Sequence, residues 1–293
     1  MSLLDRGRNL LKPDREGIGP QLDQVIEMLG SQEIRRRIEG PRRSELRDYG
    51  VKVFAQTDED GILAYLISEI APPKTFVEIG VGDYRESNTR HLIKQGDWRG
   101  LIIEGGPENC RRIRGLGELW RFDLQLAEAF VTRETVDDLI RDAGIEGEIG
   151  ILSLDIDGND YWVWRGITAV RPAIVVVEFN GRFGADRPVT VPYDPSFTRN
   201  PAAAGGIYFG ASLAAMVKLG EEKGYAYVGS NGADVNAFFV RTDLLPDTIS
   251  TLTATEGFRR VRTREMRGQD GSLLFAGSER EDAALAEMPL VEV

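Results

Sequence analysis

The order of apolar and polar positions along the chain predicts alternating strands and helices. Short continuous apolar runs, which suit parallel strands covered on both faces, alternate with segments whose apolar residues recur at helical spacing. The predicted strands are 75–79, 100–104, a weaker one near 118–124, 149–155, 173–178, 225–229 and 235–241. The predicted helices are 61–70, 86–95, 133–143 and 208–223.

This alternation predicts an α/β fold with a doubly wound, seven-stranded, mostly parallel sheet of Rossmann-like type. The last two apolar runs, 225–229 and 235–241, lie on either side of a short polar loop. That spacing suits an antiparallel pair, so we expect only the final strand to be reversed.

Composition divides the chain into three segments. Residues 1–50 form a polar N-terminal helical extension, in which Leu22, Val25, Ile26 and Leu29 recur at helical spacing. We expect this amphipathic helix to dock on the main body through those residues. Residues 51–245 contain the alternating pattern and form the predicted main domain. Residues 246–293 are charged and pattern-poor, and they form a C-terminal extension to which the sequence assigns no role.

The charge of the chain limits its partners. Its net charge of −11 argues against a nucleic acid or an anionic membrane surface as the main partner. Two basic clusters, 35–37 and 42–43, could meet an anionic substrate, but nearby glutamates favour a solvated face. No signal-peptide profile or apolar run of the ~18–20 residues needed for a membrane span is present, so we expect a cytoplasmic protein.

The single cysteine and single histidine limit the metal chemistry. Cys110 alone excludes an internal disulfide and a thiolate-rich metal site. His91 alone excludes a zinc cluster built on histidines, and its place within a helix predicts a structural role. Any metal would therefore have mostly oxygen ligands, which points to Mg²⁺ or Mn²⁺.

A glycine turn follows the first predicted strand. Glu78, Gly80 and Gly82 are spaced Glu-x-Gly-x-Gly, which differs from the G-x-G-x-x-G fingerprint of dinucleotide binders. Glycine lets a nucleotide-like ligand come close to the backbone. The next strand ends at Glu104, where a carboxylate can accept hydrogen bonds from ribose hydroxyls. The two features together resemble the cofactor site of class I S-adenosylmethionine-dependent methyltransferases.

Further carboxylates follow the later strands. Asp155 and Asp157 end the strand at 149–155, and Glu178 and Asn180 end the next one. The carboxyl ends of parallel strands meet in one crevice, and buried negative charge needs a cationic or hydrogen-bonding partner. That partner could be S-adenosylmethionine, a divalent cation, or arginines in ordinary salt bridges.

Eight short motifs occur in order over roughly residues 50–245. They are Gln56-x-x-Glu59-Asp60-Gly61, Val77-Glu-Ile-Gly-Val-Gly-Asp83, Asn88-Thr-Arg90, Trp98-Arg-Gly100, Leu152-Ser-Leu-Asp-Ile-Asp-Gly-Asn-Asp-Tyr-Trp162, Val177-Glu-Phe-Asn180, Val191-Pro-Tyr-Asp194 and Tyr208-Phe-Gly-Ala-Ser212. Together they resemble a branch of the FkbM-like methyltransferases, and this resemblance implies methyl transfer to hydroxyls of sugars or natural products.

The resemblance also implies roles for the cofactor residues. Glu78, Gly80 and Gly82 would cradle the methionine portion of S-adenosylmethionine, and Glu104 would hold its ribose. Gln56 and Asp60 would close over its amino acid end. This chain departs from the pattern at 55–58, where it has Ala-Gln-Thr-Asp and relatives tend to have Ser-Gln-Asn-Gly.

For catalysis, the matching positions for Mg²⁺ or Mn²⁺ are Asp155, Glu178 and Asn180. A cation there would lower the pKa of an acceptor hydroxyl, whereas the simpler reading is that these side chains hydrogen-bond backbone and each other. The candidate catalytic acids are Asp155, Asp157 and Asp160, of which the last two could serve as a general base. The aromatic residues Tyr161, Trp162 and Trp164 could wall an acceptor, although such spacing is more typical of a helix core.

Three functions remain open from the sequence. The first is S-adenosylmethionine-dependent O-methyl transfer to a small hydroxylated acceptor. The second is a binding or scaffold protein that keeps the fold without the chemistry. The third, an NAD-dependent oxidoreductase, lacks the third glycine of the dinucleotide fingerprint. The sequence leaves the acceptor and the oligomeric state open, and a homo-oligomer is compatible with it.

Overall fold

A computed structural model describes residues 15–200, 202–262, 265–268 and 270–293, with the side chains of 15–20 excepted. Residues 1–14 of the predicted N-terminal extension lie outside the described residues. The strands are β1 Thr75–Ile79, β2 Arg99–Glu104, β3 Asp123–Glu128, β4 Gly147–Leu154, β5 Val170–Glu178, β6 Val189–Thr190, β7 Tyr225–Ser230, β8 Asn236–Arg241 and β9 Val291–Glu292.

Seven of these strands form one sheet in the order β3-β2-β1-β4-β5-β8-β7. Strands β1 to β5 pair in parallel, and β8 is antiparallel to both β5 and β7. Strand β8 is therefore the only reversed strand of this sheet, which confirms the predicted fold class. The strand order reverses beside β1, and in open α/β sheets ligands bind at such a point.

Helices cover both faces of this sheet. They are α1 Arg15–Glu39, α2 Glu59–Ile70, α3 Arg90–Lys94, α4 Pro107–Leu116, α5 Glu118–Arg121, α6 Val136–Asp142, α7 Asp160–Gly166, α8 Leu213–Glu222, α9 Ala254–Gly257 and α10 Ser278–Ala286. Short 3₁₀ helices lie at Leu46–Tyr49, Gly181–Phe183, Ala204–Gly206 and Thr242–Leu244. In β1, Phe76 packs on the α2 and α3 side, and Val77 packs on the α6 to α8 side. This alternation explains why neighbouring positions of the strand, 76 and 77, are both apolar.

The predicted position of the third strand was wrong by several residues. Residues 118–121 form α5, and β3 begins at Asp123. Gly117, at φ +83°, ends α4 in the left-handed conformation and separates it from α5. Strand β3 lies at the sheet edge and is only partly buried, so it lacks the continuous apolar run that marks the inner strands.

The predicted docking face of α1 was also wrong. Leu22, Val25, Ile26 and Leu29 are 44–56% exposed. The residues of α1 that contact the body form a different stripe along the helix, shifted by about one residue from the predicted stripe. Most residues of this second stripe are polar. In that stripe Asp23 pairs with Arg90 at 3.0 Å, and Gly30 lies against Val53. Ion pairs and close approach at glycine position this helix, and neither feature contributes to an apolar pattern.

The C-terminal segment packs beside the main sheet. Strand β9 pairs with β6 in a second, two-stranded sheet. An apolar cluster joins Val191, Ile207 and Tyr208 to Met266 and Leu285. Residues beyond 245 thus cover the long connection between β5 and α8. Within the described ranges, no helix combines the length and apolarity needed to cross a membrane.

Two substitutions on α1 test which face supports the fold. Ile34 is 7% exposed and Leu29 is 56% exposed. We expect Ile34→Ala to lower the free energy of unfolding by about 2 kcal/mol, because it removes buried methyl groups. We expect Leu29→Ala to change it by less than about 0.5 kcal/mol. Urea denaturation measures both values, and a larger loss for Leu29→Ala would contradict the assigned face.

Candidate functional site

Two adjoining cavities open at the carboxyl ends of β1, β2, β4 and β5. The β2-side cavity has a volume of about 440 Å³ and the β5-side cavity about 360 Å³. Both are lined by Gly80, Gly82, Asp155 and Asp157. The glycine turn and the end of β4 therefore form the boundary between them.

Gly80 permits the close contact between β1 and β4 at this boundary. Its φ is +82°, and a Cβ atom there would lie 1.7 Å from the carbonyl oxygen of Asp155. No side chain fits this position without moving one of the two strands. Gly82 has φ +54°, and its amide donates to Glu104 Oε2 at 2.9 Å. The predicted glycine turn thus lines both cavities.

Glu104 is 8% exposed and lines the β2-side cavity. Besides the amide of Gly82, its carboxylate accepts hydrogen bonds from Gly106 N at 2.7 Å and Asn109 Nδ2 at 3.1 Å. A carboxylate has about four acceptor positions, so the three described donors leave a position for a hydroxyl of a ligand. The residues present fit the ribose role that the resemblance implies.

Glu78 is buried and lines the β5-side cavity. Its carboxylate accepts hydrogen bonds from Ser87 Oγ at 2.6 Å, Asn88 N at 2.9 Å and Thr89 N at 3.1 Å. Burial raises its pKa, whereas these donors lower it. Glu78 thus holds the loop before α3, whose residues Ser87 and Asn88 also line the cavity. Direct contact of Glu78 with a cofactor stays a prediction.

Asp60 binds backbone amides, whereas Gln56 lines a cavity. One carboxylate oxygen of Asp60 accepts the backbone amides of Val53, Phe54 and Ala55 at 2.7, 2.7 and 2.8 Å. Burial raises the pKa of Asp60 to about 7, although the three amides oppose this shift. The adjoining Gln56 is exposed and lines the β5-side cavity. Asp60 therefore shapes the segment that presents Gln56.

Asp155 and Glu178 form a carboxyl pair at the ends of neighbouring strands. Burial raises the pKa of Asp155, and the charges of Asp160 and Asp157 raise it further. Burial also raises the pKa of Glu178, followed by the charges of Asp155 and Asp157. Within the described residues, Glu178 Oε2 is buried with no hydrogen-bond partner. The pair can therefore accept a proton or a cation.

The other two candidate acids have partners that the sequence does not reveal. Asp160 is buried and accepts the amides of Ile156 at 2.8 Å and Gly158 at 2.9 Å, so it braces the loop after β4. Burial raises the pKa of Asp160 to about 6. Asp157 is exposed, has φ +55° and pairs with Arg199 at 2.6 Å. Of the three candidates, Asp155 is the acid that lines both cavities without an arginine partner in the described residues.

The side chain of Asn180 forms its hydrogen bonds with backbone groups. Its amide nitrogen donates to the carbonyl oxygens of Ile207 at 2.9 Å and Phe209 at 3.0 Å, and its oxygen accepts Arg182 N at 3.1 Å. The described residues contain no group of three or more His, Cys, Asp or Glu side chains arranged to hold a metal ion. Of the predicted metal ligands, the structure brings Asp155 and Glu178 together.

Sequence reasoning missed Arg199 and Glu265, which both line the β5-side cavity. Arg199 pairs with Glu265 at 2.9 Å and with Asp157, donates to the carbonyl oxygen of Gly206 at 2.7 Å, and lies 4.0 Å from the ring centroid of Phe209. These partners are far apart in sequence and no periodic pattern marks them. No sequence signal could have paired them.

Asn236 is a third missed lining residue. Its side-chain nitrogen donates to Glu59 Oε1 at 2.9 Å, and Asn231 donates to the same oxygen at 2.7 Å. Glu59 belongs to a motif found in the sequence, but the asparagines that bind it do not.

None of the remaining candidates is among the described lining residues of either cavity. His91 is buried, and burial followed by the charge of Lys94 lowers its pKa to about 4. Cys110 is buried, and burial raises the pKa of its thiol. The aromatic side chains belong to the core or its edge: Tyr161 and Trp164 are buried in the core, and Trp162 donates from Nε1 to Val191 O at 2.9 Å.

Comparisons with known proteins give remote likenesses. No family model matches the sequence and no curated protein matches it. Among solved structures, the N-terminal domain of EvdMO1 with SAH bound is 14% identical, with a TM-score of 0.41, and the match covers 72% of this chain and 94% of that chain. An S-adenosylmethionine-dependent methyltransferase from Clostridium acetobutylicum ATCC 824 is 7% identical, with a TM-score of 0.39, and the match covers 60% of this chain and 87% of that chain.

A third structure, the mitomycin 7-O-methyltransferase MmcR, is 17% identical, with a TM-score of 0.35, and the match covers 62% of this chain and 56% of that chain. At these identities and TM-scores, the three likenesses do not establish the family or the activity of this chain. The fold follows from its own strand order, and the function depends on its own site.

The raised pKa of Asp60 predicts a pH dependence of stability. Because folded Asp60 binds its proton more tightly than the unfolded chain does, the free energy of unfolding should fall as pH rises from about 4 to about 7. Its contribution has a maximum slope of about 1.4 kcal/mol per pH unit. Asp60→Asn removes this contribution, so its urea-unfolding profile should be flatter across this range.

Asp186→Asn, at an exposed position, is the control and should keep the slope of the original chain. Other buried acids titrate in the same range, so the difference between the original chain and Asp60→Asn is the quantity of interest. Parallel profiles for these two proteins would contradict the assignment.

Proposed function

We propose that this chain is a class I, FkbM-like methyltransferase that transfers a methyl group from S-adenosylmethionine to a hydroxyl of a small acceptor. One observation carries the proposal. Two cavities adjoin at the Gly80–Gly82 turn, with the hydroxyl-accepting Glu104 in one and the Asp155–Glu178 pair in the other. This arrangement provides a place for a nucleoside beside a place for a polar second substrate.

The β2-side cavity suits the adenosine part of the cofactor. Its apolar wall includes Ile79, Ile103 and Phe130, and Glu104 stands beside it with an open acceptor position. Its volume lies within the ~300–1,000 Å³ range of small-molecule sites. When bound, S-adenosylmethionine supplies a methyl group activated by its sulfonium. The chain then mainly has to bind and align the two reactants.

The β5-side cavity suits an uncharged or cationic acceptor. Acidic residues dominate its lining, and Arg199 is the one Lys or Arg among the described lining residues. That guanidinium pairs with Asp157 and Glu265. An anionic acceptor would meet net repulsion there, whereas a sugar or another polyhydroxylated molecule would find many hydrogen-bond acceptors.

We assign the activation of the acceptor hydroxyl to Asp155. It lines both cavities, which supports this role, because an acceptor in one cavity would have to approach a methyl group held in the other. In its ionised form it can accept the hydroxyl proton. Asp157 has an arginine partner, and the carboxylate of Asp160 faces backbone amides, so we place both in supporting roles.

Asp155 and Glu178 also fit Mg²⁺ or Mn²⁺. Their oxygens are hard ligands, and Glu178 Oε2 lacks a partner in the described residues. Mg²⁺ commonly binds through one or two carboxylates while keeping several waters. A cation held there would lower the pKa of a bound hydroxyl. Asn180 would position the neighbouring loops instead of binding the metal.

Calorimetry with S-adenosylhomocysteine tests the cofactor proposal. We expect Glu104→Ala to weaken binding by about 1–3 kcal/mol, because ribose hydroxyls lose a buried charged acceptor. Glu108→Ala, at a 55% exposed side chain on α4, is the control and should bind as the original chain does. NAD should give no binding. Unchanged affinity in a folded Glu104→Ala variant, or tighter binding of NAD, would refute the assignment.

A chelator and Asp155→Asn test the acceptor side. We expect formation of S-adenosylhomocysteine with hydroxylated acceptors to stop in EDTA and to return with Mg²⁺ or Mn²⁺. Asp155→Asn should lose this activity and the electron paramagnetic resonance signal of bound Mn²⁺, yet still bind S-adenosylhomocysteine. Asp157→Asn, which removes the charge two residues away, should retain the Mn²⁺ signal. Full turnover in EDTA would contradict the metal site, and Asp155 would then act as a base without a metal.

A further inference from the structure

A third cavity, of about 310 Å³, shares no lining residue with the two cavities of the candidate site. It lies between the segment before α2 and the end of β7, and residues 248–259 close its other side. Its floor contains the buried residues Tyr49, Tyr65, Val228 and Ile249. An apolar floor with a few polar groups around it is typical of small-molecule sites.

The polar groups around this cavity are predominantly basic. Four arginines line it against two glutamates, although the chain as a whole has a net charge of −11. The arginines are Arg42, Arg43, Arg47 and Arg259, and the glutamates are Glu45 and Glu256. The local positive charge is therefore opposite to the charge of the whole chain, which favours an anion at this place.

Two of the four arginines already have carboxylate partners. Arg47 pairs with Asp234 at 2.9 Å and Glu45 at 3.2 Å, and Arg259 pairs with Glu45 at 3.0 Å. The carboxylate of Glu256 accepts the backbone amide and hydroxyl of Thr253, each at 2.8 Å. The carboxylates that line this cavity therefore already have ion-pair or hydrogen-bond partners within the protein.

The other two arginines, Arg42 and Arg43, have no ion-pair partner in the described part of the chain. The guanidinium of Arg43 lies 5.9 Å from the ring centroid of Tyr49, and its backbone amide donates to the Tyr49 hydroxyl at 3.1 Å. Its Nε atom is buried, with no hydrogen-bond partner among the described residues. A buried donor without a partner is costly, and a ligand oxygen would satisfy it.

The floor of this cavity contains a stacked aromatic pair. Tyr49 and Tyr65 are stacked, with ring centroids 3.6 Å apart and planes 6° apart. Burial and the neighbouring Tyr49 raise the pKa of Tyr65 to about 12, and the charge of Arg42 opposes this shift. Arg42 lines the same cavity as this stacked pair. Two arginines without ion-pair partners in the described residues therefore line a cavity whose floor contains two stacked aromatic rings.

We propose that this cavity is a second binding site, for a small anionic molecule that carries a phosphate group. The planar fork of arginine matches phosphate oxygens with two parallel hydrogen bonds. Arg42 and Arg43 would supply these bonds, and the apolar floor would contact the rest of the ligand. This site is independent of the proposed methyl transfer, because it uses none of the residues assigned to that reaction.

Calorimetric titration with inorganic pyrophosphate tests the proposal. We expect saturable binding to the original chain and a loss of affinity of roughly tenfold or more in Arg42→Ala/Arg43→Ala, as expected for removing charge-assisted hydrogen bonds. The control is Arg111→Ala/Arg187→Ala, which removes two exposed charges elsewhere. It should bind pyrophosphate as the original chain does. Ser44→Glu, which adds a negative charge at the cavity while retaining both arginines, should also abolish binding.

S-adenosylhomocysteine affinity provides the check on folding and on site identity. It should be unchanged in both arginine variants and in Ser44→Glu, and excess S-adenosylhomocysteine should not displace pyrophosphate. Absence of saturable pyrophosphate binding to the original chain would overturn the proposal. Equal losses in the two double variants, or displacement by S-adenosylhomocysteine, would overturn it as well, because the anion would then bind through general charge or in the candidate site.

Discussion

Burial of negative charge at the ends of parallel strands is the constraint on which this structure depends. A buried carboxylate must be met by donors or by positive charge. Backbone amides and polar side chains meet this need for Glu78 and Glu104 at the strand ends. Backbone amides meet it for two further buried acids, Asp60 and Asp160, in the first turns of α2 and α7. Each of those acids fixes a loop. The pair Asp155 and Glu178 is less fully compensated, because Glu178 Oε2 has no hydrogen-bond partner among the described residues. Burial and neighbouring negative charge accordingly raise the pKa of both acids.

The sequence was a good guide to the sheet and to the strand ends, because both depend on local patterns. Continuous apolar runs located the inner strands, and acids immediately after them located the crevice. The roles of Asp60, Asp160 and Asn180 could not be predicted in the same way. Their partners are backbone groups of turns, and those partners depend on backbone geometry that residue types do not encode.

Long-range partners were a second limit on prediction. Arg199 meets Asp157 and Glu265 across segments distant in the chain. Helix α1 docks through ion pairs, Gly30 and the buried Ile34 instead of the predicted apolar stripe. Neither arrangement produces periodicity. The basic residues at 42–43 illustrate the same limit, since in sequence they resembled a solvated face, and only the fold places them at a cavity that also contains the stacked Tyr49 and Tyr65.

The pairing of β6 with β9 has a consequence for the order in which the molecule assembles. Val189 pairs with Glu292, so this contact closes a very long loop, whereas β1 and β2 are close in sequence. Loop closure of that length slows contact formation. We expect the pairing of β1 with β2 to form early in folding and the pairing of β6 with β9 to form late. The β6–β9 pair should also open first in the native state, with faster amide hydrogen exchange than the central strands.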